Sequence, residues 1–178
     1  MEALLLLKHL TANRRTLIIT CPECRNYTVD ERFASVYFCL GGMLRRHDQL
    51  QQDCICHHLE VNQCSQIIIA GHSGCNVVKR IREDHANSIS SPYMLEWKTD
   101  ALLHKHGRKF LSKDISDLMI MELNVLEQMQ VLGDFHFVRS RLESGTLRIS
   151  GIIIDETRLF VKEIFRNGIV YNDLISAN

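Results

Sequence analysis

The sequence predicts an α/β protein with a mainly parallel central sheet of four to five strands, flanked by helices and with an antiparallel last strand. Two observations predict this class. Three short runs rich in β-branched residues, at 16–20, 34–39 and 66–70, are separated by segments long enough for crossovers, which favours parallel pairing. Near the end of the chain, the runs 146–154 and 158–164 flank a short polar turn and indicate an antiparallel hairpin.

The first and third runs are almost continuously apolar, which is typical of strands buried on both faces of a parallel sheet. Helices are expected between and around the strands. From 114 to 132 the apolar residues recur at helical spacing, and Ser112 or Asp114 is the expected N-cap. In chain order, helices are predicted at 1–13, at 44–60, within the polar stretch 76–113, at 114–132 and at 135–142.

Length and composition suit one domain. The chain has 178 residues, of which 46% are hydrophobic and 24% charged, so we treat 1–178 as a single domain with an N-terminal helix over 1–13 and a C-terminal tail over 165–178. The 21 basic and 21 acidic side chains balance, which argues against nucleic acid or an anionic membrane as a partner. The apolar run 3–7 is far too short to span a membrane.

The seven cysteines indicate a reducing compartment, and we expect a cytoplasmic protein. Their number is odd, and the N-terminal residues lack the basic region and cleavage site of a signal peptide. In a reducing compartment cysteines serve as metal ligands, redox groups or small buried hydrophobic residues.

Two predicted strand ends carry potential metal ligands. The segment Cys21–Arg25 follows the first strand, and His72 and Cys75 follow the third. Sites in open α/β sheets form outside the carboxyl ends of the strands, so two neighbouring ends can bring these groups together across 51 residues of chain. Zinc favours thiolate and imidazole ligands in tetrahedral geometry. The strand ends could therefore bring Cys21, His72 and Cys75 together around one ion, which would leave a fourth position.

The fourth position depends on Glu23 and Arg25, which lie two residues apart beside the predicted site. A guanidinium can hold a carboxylate through two parallel hydrogen bonds. If Arg25 holds Glu23, the fourth position is free for water; if Glu23 binds the ion, the site is closed.

Four segments resemble the β-carbonic anhydrase family, in the order in which that family has them. Residues 20–25, Thr-Cys-Pro-Glu-Cys-Arg, are similar to its Cys-x-Asp-x-Arg motif, and 70–75, Ala-Gly-His-Ser-Gly-Cys, to its Gly-His-x-x-Cys motif. The helix segment 122–128 resembles Glu-x-Asn-Val-x-x-Gln, and 145–151 resembles the strand that follows. The resemblance covers roughly 15–165, and the two ligand motifs are its specific part.

This resemblance implies zinc on Cys21, His72 and Cys75, with Glu23 and Arg25 in the place of the family's catalytic Asp–Arg pair. It also implies a homodimer or a dimer of dimers. The implied activity is that of a lyase, the reversible hydration of carbon dioxide to bicarbonate by zinc-bound hydroxide. Because two thiolates donate more charge to the ion than imidazoles would, we expect activity to be favoured at higher pH.

Two departures from the family pattern keep other functions open. Glu23 replaces the family's Asp, and Phe38–Gly42 stands where the family has Arg-Asn-Ala-Gly-Asn. One alternative is a non-catalytic, zinc-stabilised binding or regulatory module with a closed metal site. Another is a related zinc hydrolase that acts on carbon disulfide or carbonyl sulfide. Such a hydrolase uses metal ligands similar to those of carbonic anhydrases, so the ligands alone do not identify the substrate.

The remaining cysteines allow further interpretations. Cys21 and Cys24 have the spacing of a redox pair, and Cys24 could instead complete a structural site of three cysteines and one histidine. We favour Cys24 as a small residue beside the metal. A second group of potential ligands comprises Cys54, Cys56, His57, His58 and Cys64. We favour buried thiols and surface imidazoles for these residues, and a second metal site is the alternative.

Overall fold

The computed structural model describes residues 14–24, 32, 34–86, 116–155, 160–166 and 169–170. Within them lie six strands, four α-helices and one short 3-10 turn. In chain order these are β1 (Thr16–Thr20), β2 (Ala34–Phe38), the 3-10 turn (Leu40–Gly42), α1 (Gln49–Glu60), β3 (Gln66–His72), α2 (Asn76–Ala86), α3 (Asp117–Asp134), α4 (His136–Glu143), β4 (Arg148–Asp155), β5 (Phe160–Arg166) and β6 (Ile169–Val170). The predicted helix 1–13 lies outside the described residues.

The strands form one sheet in the order β2-β1-β3-β4-β5-β6. The pairs β2–β1, β1–β3 and β3–β4 are parallel, whereas β4–β5 and β5–β6 are antiparallel. The predicted α/β class, with a mainly parallel sheet and an antiparallel final hairpin, is confirmed. The sixth strand, β6, lies within 165–178, where we expected a tail; two residues are too few to show a periodic pattern in sequence.

The two faces of the sheet bury different side chains. All five residues of β1 are buried, and Leu17 and Ile19 join the larger core, which includes α3 and α4. Ile18 faces the opposite way and packs with Ile68 and Ile152 of the neighbouring strands. Burial on both faces explains why these strands are continuously apolar rather than alternating.

Helix α3 packs against β3 and β4 at short range. A Cβ atom at Gly71 of β3 would lie 2.8 Å from Met121 Cγ and 3.0 Å from Val125 Cγ2, both on α3. Glycine at this position therefore allows the helix to approach the carboxyl end of β3 closely.

Two helix starts differ from the predictions. Helix α3 begins at Asp117, and its N-cap is Ser116, whose hydroxyl accepts from the Met119 N–H at 3.2 Å. The expected caps Ser112 and Asp114 are therefore wrong, because Ile115, the first residue of the apolar pattern, precedes the N-cap Ser116. Helix α1 begins at Gln49 rather than 44, after the N-cap Asp48. Among the described residues, no helix has the length and apolarity needed to cross a bilayer.

Candidate metal centre

The candidate site lies where β1 and β3 end side by side. Thr20 pairs with Ala70 in the parallel register, and the Thr20 hydroxyl donates to the Ala70 carbonyl at 2.9 Å. Cys21 follows β1 directly, His72 is the last residue of β3, and Cys75 precedes α2. The carboxyl ends of two adjacent parallel strands thus meet at one edge of the sheet, as the sequence predicts.

Four side chains converge at this edge. Single ligand atoms from Cys21, Glu23, His72 and Cys75 all lie within 4.8 Å of one another, and the two cysteines and the histidine are buried. The Cys21 and Cys75 sulfurs are 3.9 Å apart. Two thiolates bound about 2.3 Å from one tetrahedral zinc ion are about 3.8 Å apart, so this donor set fits zinc.

The thiols of Cys21 and Cys75 form a hydrogen bond with each other. The Cys75 thiol donates to the Cys21 sulfur, and this hydrogen bond is the main reason why the pKa of Cys21 falls to about 4. The His72 side chain and the backbone N–H groups of Glu23 and Gly41 also stabilise charge on that sulfur and lower its pKa. The same contact with Cys21 raises the pKa of Cys75, and burial raises it further. The negative charge of the pair is therefore favoured on Cys21 over Cys75.

The His72 ring is oriented by backbone. Its Nδ1 lies 3.2 Å from the Ser73 carbonyl, and the Ser73 N–H donates to the Ile154 carbonyl of β4 at 2.8 Å. A proton on Nδ1 makes the first contact a hydrogen bond and leaves the Nε2 lone pair for a metal. Metal-binding histidines commonly use the second ring nitrogen in this way.

Glu23 is held by Asn76, the first residue of α2. The Asn76 backbone N–H donates to Oε2 at 2.8 Å, and its side-chain Nδ2 donates to Oε1 at 3.1 Å. The backbone hydrogen bond is the main cause that lowers the pKa of Glu23, so this carboxylate is ionised at neutral pH. Arg25, the partner expected from the sequence, lies outside the described residues.

Sequence reasoning missed Asn76. A signal was present, because Asn76 begins the helix after Cys75, and the N–H groups of a first helical turn favour carboxylates. The position could have been found only by treating the start of α2 as part of the site.

Cys24 lies outside the converging group, although it is buried. Its backbone N–H donates to the Cys21 carbonyl at 3.0 Å, which closes a tight turn after β1. The geometry therefore does not bring together a site of three cysteines and one histidine. None of the seven cysteines is in a disulfide, so Cys21 and Cys24 are not joined to each other.

The second cysteine and histidine group does not converge on one point. In the parts of the chain that the structure describes, the only set of three or more such ligand groups is the one at the ends of β1 and β3. On α1, the His58 ring pairs instead with the Asn62 amide, at 2.9 Å from Nδ1. Cys64 is buried in the main core.

The segment 39–44 forms a wall beside the site and is held by α3. The Cys39 N–H donates to the Thr20 carbonyl at 3.0 Å. From α3, the Asn124 amide donates to the Gly41 carbonyl at 2.8 Å, and Gln128 accepts from the Leu44 N–H at 2.6 Å. Gln128 also donates to Asn124 at 3.0 Å, so the two amides form one buried chain.

Gly41 and Gly42 let the wall make its turn. Their φ angles are +64° and +70°, a region that other residues rarely adopt. The positive φ angles explain why both positions of the segment 38–42 that adopt them are occupied by glycine.

The fold and this cluster define an α/β protein with a candidate metal centre of two cysteines and one histidine at the carboxyl edge of its sheet. A family model described as "Carbonic anhydrase" matches residues 16–158. The chain belongs to the β-carbonic anhydrase family.

Individual relatives are distant in sequence. A carbonic anhydrase from Synechococcus elongatus is 28% identical over 94 residues, which are 50% of this chain and 34% of that protein. The chain thus matches about a third of the length of this curated relative.

Solved structures resemble the fold over most of its length. A tetrameric β-carbonic anhydrase from Sordaria macrospora has a TM-score of 0.69 at 18% identity, covering 84% of this chain and 80% of that one. The β-carbonic anhydrase CafD from Aspergillus fumigatus has a TM-score of 0.67 at 21% identity, covering 86% of this chain and 90% of that one.

Proposed function

We propose that this protein is a zinc-dependent carbonic anhydrase, a lyase that interconverts carbon dioxide and bicarbonate. Cys21, His72 and Cys75 are the proposed ligands. The observation that carries the proposal is the convergence of these three groups, with sulfurs 3.9 Å apart, in a member of this family. Zinc, when bound, supplies the acidification of water that makes a nucleophile available near neutral pH.

The chain's own residues prepare the site for this chemistry. Backbone N–H groups stabilise charge on the Cys21 sulfur, and the Ser73 carbonyl orients the His72 ring. The carboxylate of Glu23 is ionised and lies among the ligand atoms, so it can accept a proton from the attacking water and orient it toward carbon dioxide. We assign Arg25 to the same catalytic pair, as a cation that steadies Glu23 or bicarbonate.

We also propose a cytoplasmic homodimer or dimer of dimers. The seven cysteines, none of which is in a disulfide, support a reducing compartment. The Sordaria macrospora relative is described as tetrameric, which supports an assembly for this chain as well.

Stopped-flow hydration of carbon dioxide by zinc-loaded protein, from about pH 7 to about pH 9, tests the proposal. We expect a rate above buffer that rises with pH, because two thiolates weaken the acidification of bound water. Cys75→Ala, matched for expression and fold by circular dichroism, should remove the rate. No rate above buffer at any pH would overturn the assignment.

A second candidate is a non-catalytic zinc-stabilised module with a closed site. It is favoured by the Glu23 carboxylate, which is itself within 4.8 Å of the three other ligand atoms. A crystal structure of the zinc-loaded protein at alkaline pH separates the two functions. A Glu23 oxygen on the ion under these conditions would support the closed site; a water molecule in that position would support the open one.

A further inference from the structure

We propose that Asn76 is a positioning residue that keeps the Glu23 carboxylate away from the fourth metal position and so keeps the site open. This inference rests on the proposed function, because it concerns the coordination of the same zinc ion. It names a residue of α2 that neither ligand motif contains.

The contact between the two residues engages both carboxylate oxygens. Oε2 accepts from the Asn76 backbone N–H at 2.8 Å, and Oε1 accepts from the Asn76 side-chain amide at 3.1 Å. The two donors form a fork against the carboxylate, which fixes its orientation as well as its place. A carboxylate oxygen is nonetheless within 4.8 Å of the ligand atoms of Cys21, His72 and Cys75. Only a short movement therefore separates Glu23 from the ion.

This competition matters because of the length of the side chain. Glu23 has one methylene more than the aspartate of the family motif, so its carboxylate has greater reach. Hydrogen bonds to a charged acceptor shift an equilibrium by roughly tenfold to a hundredfold. Two such bonds from Asn76 therefore favour the helix over the ion as the partner of the carboxylate.

The backbone donor is available because of its place in the helix. The Cys75 carbonyl accepts from the Lys79 N–H at 3.1 Å, so Cys75 is the N-cap of α2 and Asn76 is its first helical residue. N–H groups in the first turn have no partner within the helix. Proline is well tolerated at this first position and lacks the N–H.

These facts give a graded series of variants. Wild type offers Glu23 two donors, Asn76→Ala offers one, and Asn76→Pro offers none. Each is also made with Glu23→Ala, which removes the carboxylate. The six proteins form double-mutant cycles that separate the effect of Asn76 on Glu23 from any general effect on α2.

The readout is thiocyanate binding to the cobalt(II)-substituted full-length proteins, followed by visible d–d absorption. Thiocyanate binds only where a coordination position is exchangeable. With Glu23 present, we expect its dissociation constant to rise about tenfold or more in Asn76→Pro, and less in Asn76→Ala. With Glu23→Ala, we expect all three residues at position 76 to give the same constant within about twofold.

Two results would overturn the inference. Equal thiocyanate affinity across the series with Glu23 present would show that Asn76 does not hold the carboxylate off the ion. Equal weakening in both backgrounds would assign a merely structural role to Asn76. Asn76→Ala keeps the first of these outcomes measurable if Asn76→Pro fails to fold.

The proposed function fails in a different way. If wild type takes up no metal, both proposals fall together. If wild type hydrates carbon dioxide while the series shows no dependence on Glu23, only the role of Asn76 is lost.

Discussion

At the scale of single residues, the site is organised around the contact between the sulfurs of Cys21 and Cys75. The Cys75 thiol donates to the Cys21 sulfur, which lowers the pKa of Cys21 and raises that of Cys75. A divalent ion takes the place of this proton, because both sulfurs must be thiolates to bind it. Metal uptake and protonation therefore compete at the same two atoms.

We predict that zinc binding releases about one proton at neutral pH and that its association constant rises about tenfold per pH unit. The sign follows from Cys75. Its raised pKa keeps the proton in place across the neutral range, so affinity falls as pH falls and the proton becomes harder to displace. Competition with a chromophoric chelator, from about pH 6.5 to about pH 8, measures the slope once the chelator's own protonation is subtracted. Cys24→Ala, a buried cysteine outside the group, should keep the same slope; an affinity independent of pH would contradict the prediction.

At the scale of single elements, the contact between α3 and β3 depends on Gly71. A Cβ at this position would come within 3.0 Å of side chains on both α3 and β4. Helix α3 also carries Asn124 and Gln128, whose side chains hold the wall of the site. A shift of this helix would therefore move the Gly41 backbone.

We predict that Gly71→Ala lowers the free energy of unfolding by about 1–3 kcal/mol, through overpacking against Met121 and Ile153. The matched control is Gly133→Ala on α3, where an added Cβ meets nothing within 4 Å. That change should be neutral or stabilising, by up to about 1 kcal/mol, because alanine favours the helix. Urea unfolding at equal metal content compares the two. Equal effects of the two substitutions would show that close packing at Gly71 is not limiting.

The presence of the strands and helices was predicted better than the residues at which they begin and end. Strand β1 was recognisable because burial on both faces leaves a continuous apolar run, and the site followed because its ligands stand at strand ends. The start of α3 was not recognisable, because Ile115 belongs to the apolar pattern although it precedes the N-cap Ser116. Asn76 was missed for a related reason. Its contact with Glu23 joins residues 53 positions apart, and nothing in local spacing records such a contact.

At the scale of the whole molecule, the candidate centre joins three elements through residues far apart in the chain. Cys21 follows β1, His72 ends β3 and Cys75 begins the turn into α2, so the ligands gather only when β1 and β3 are paired. An ion bound here cannot be held equally well by the unfolded chain. Binding of the ion therefore stabilises the folded state of the entire domain relative to the unfolded chain.

We predict that saturating zinc raises the melting temperature and that a chelator reverses the rise. At a free zinc concentration about one hundred times the dissociation constant, the folded state gains about 2.7 kcal/mol. Cys75→Ala should abolish both the bound zinc and the shift, whereas Cys24→Ala should retain both despite its own packing cost. Differential scanning calorimetry with metal analysis on the same samples measures the two quantities together. A zinc-dependent shift that survives Cys75→Ala would show that the stabilising ion does not depend on the Cys75 thiolate, and would contradict the proposed ligand set.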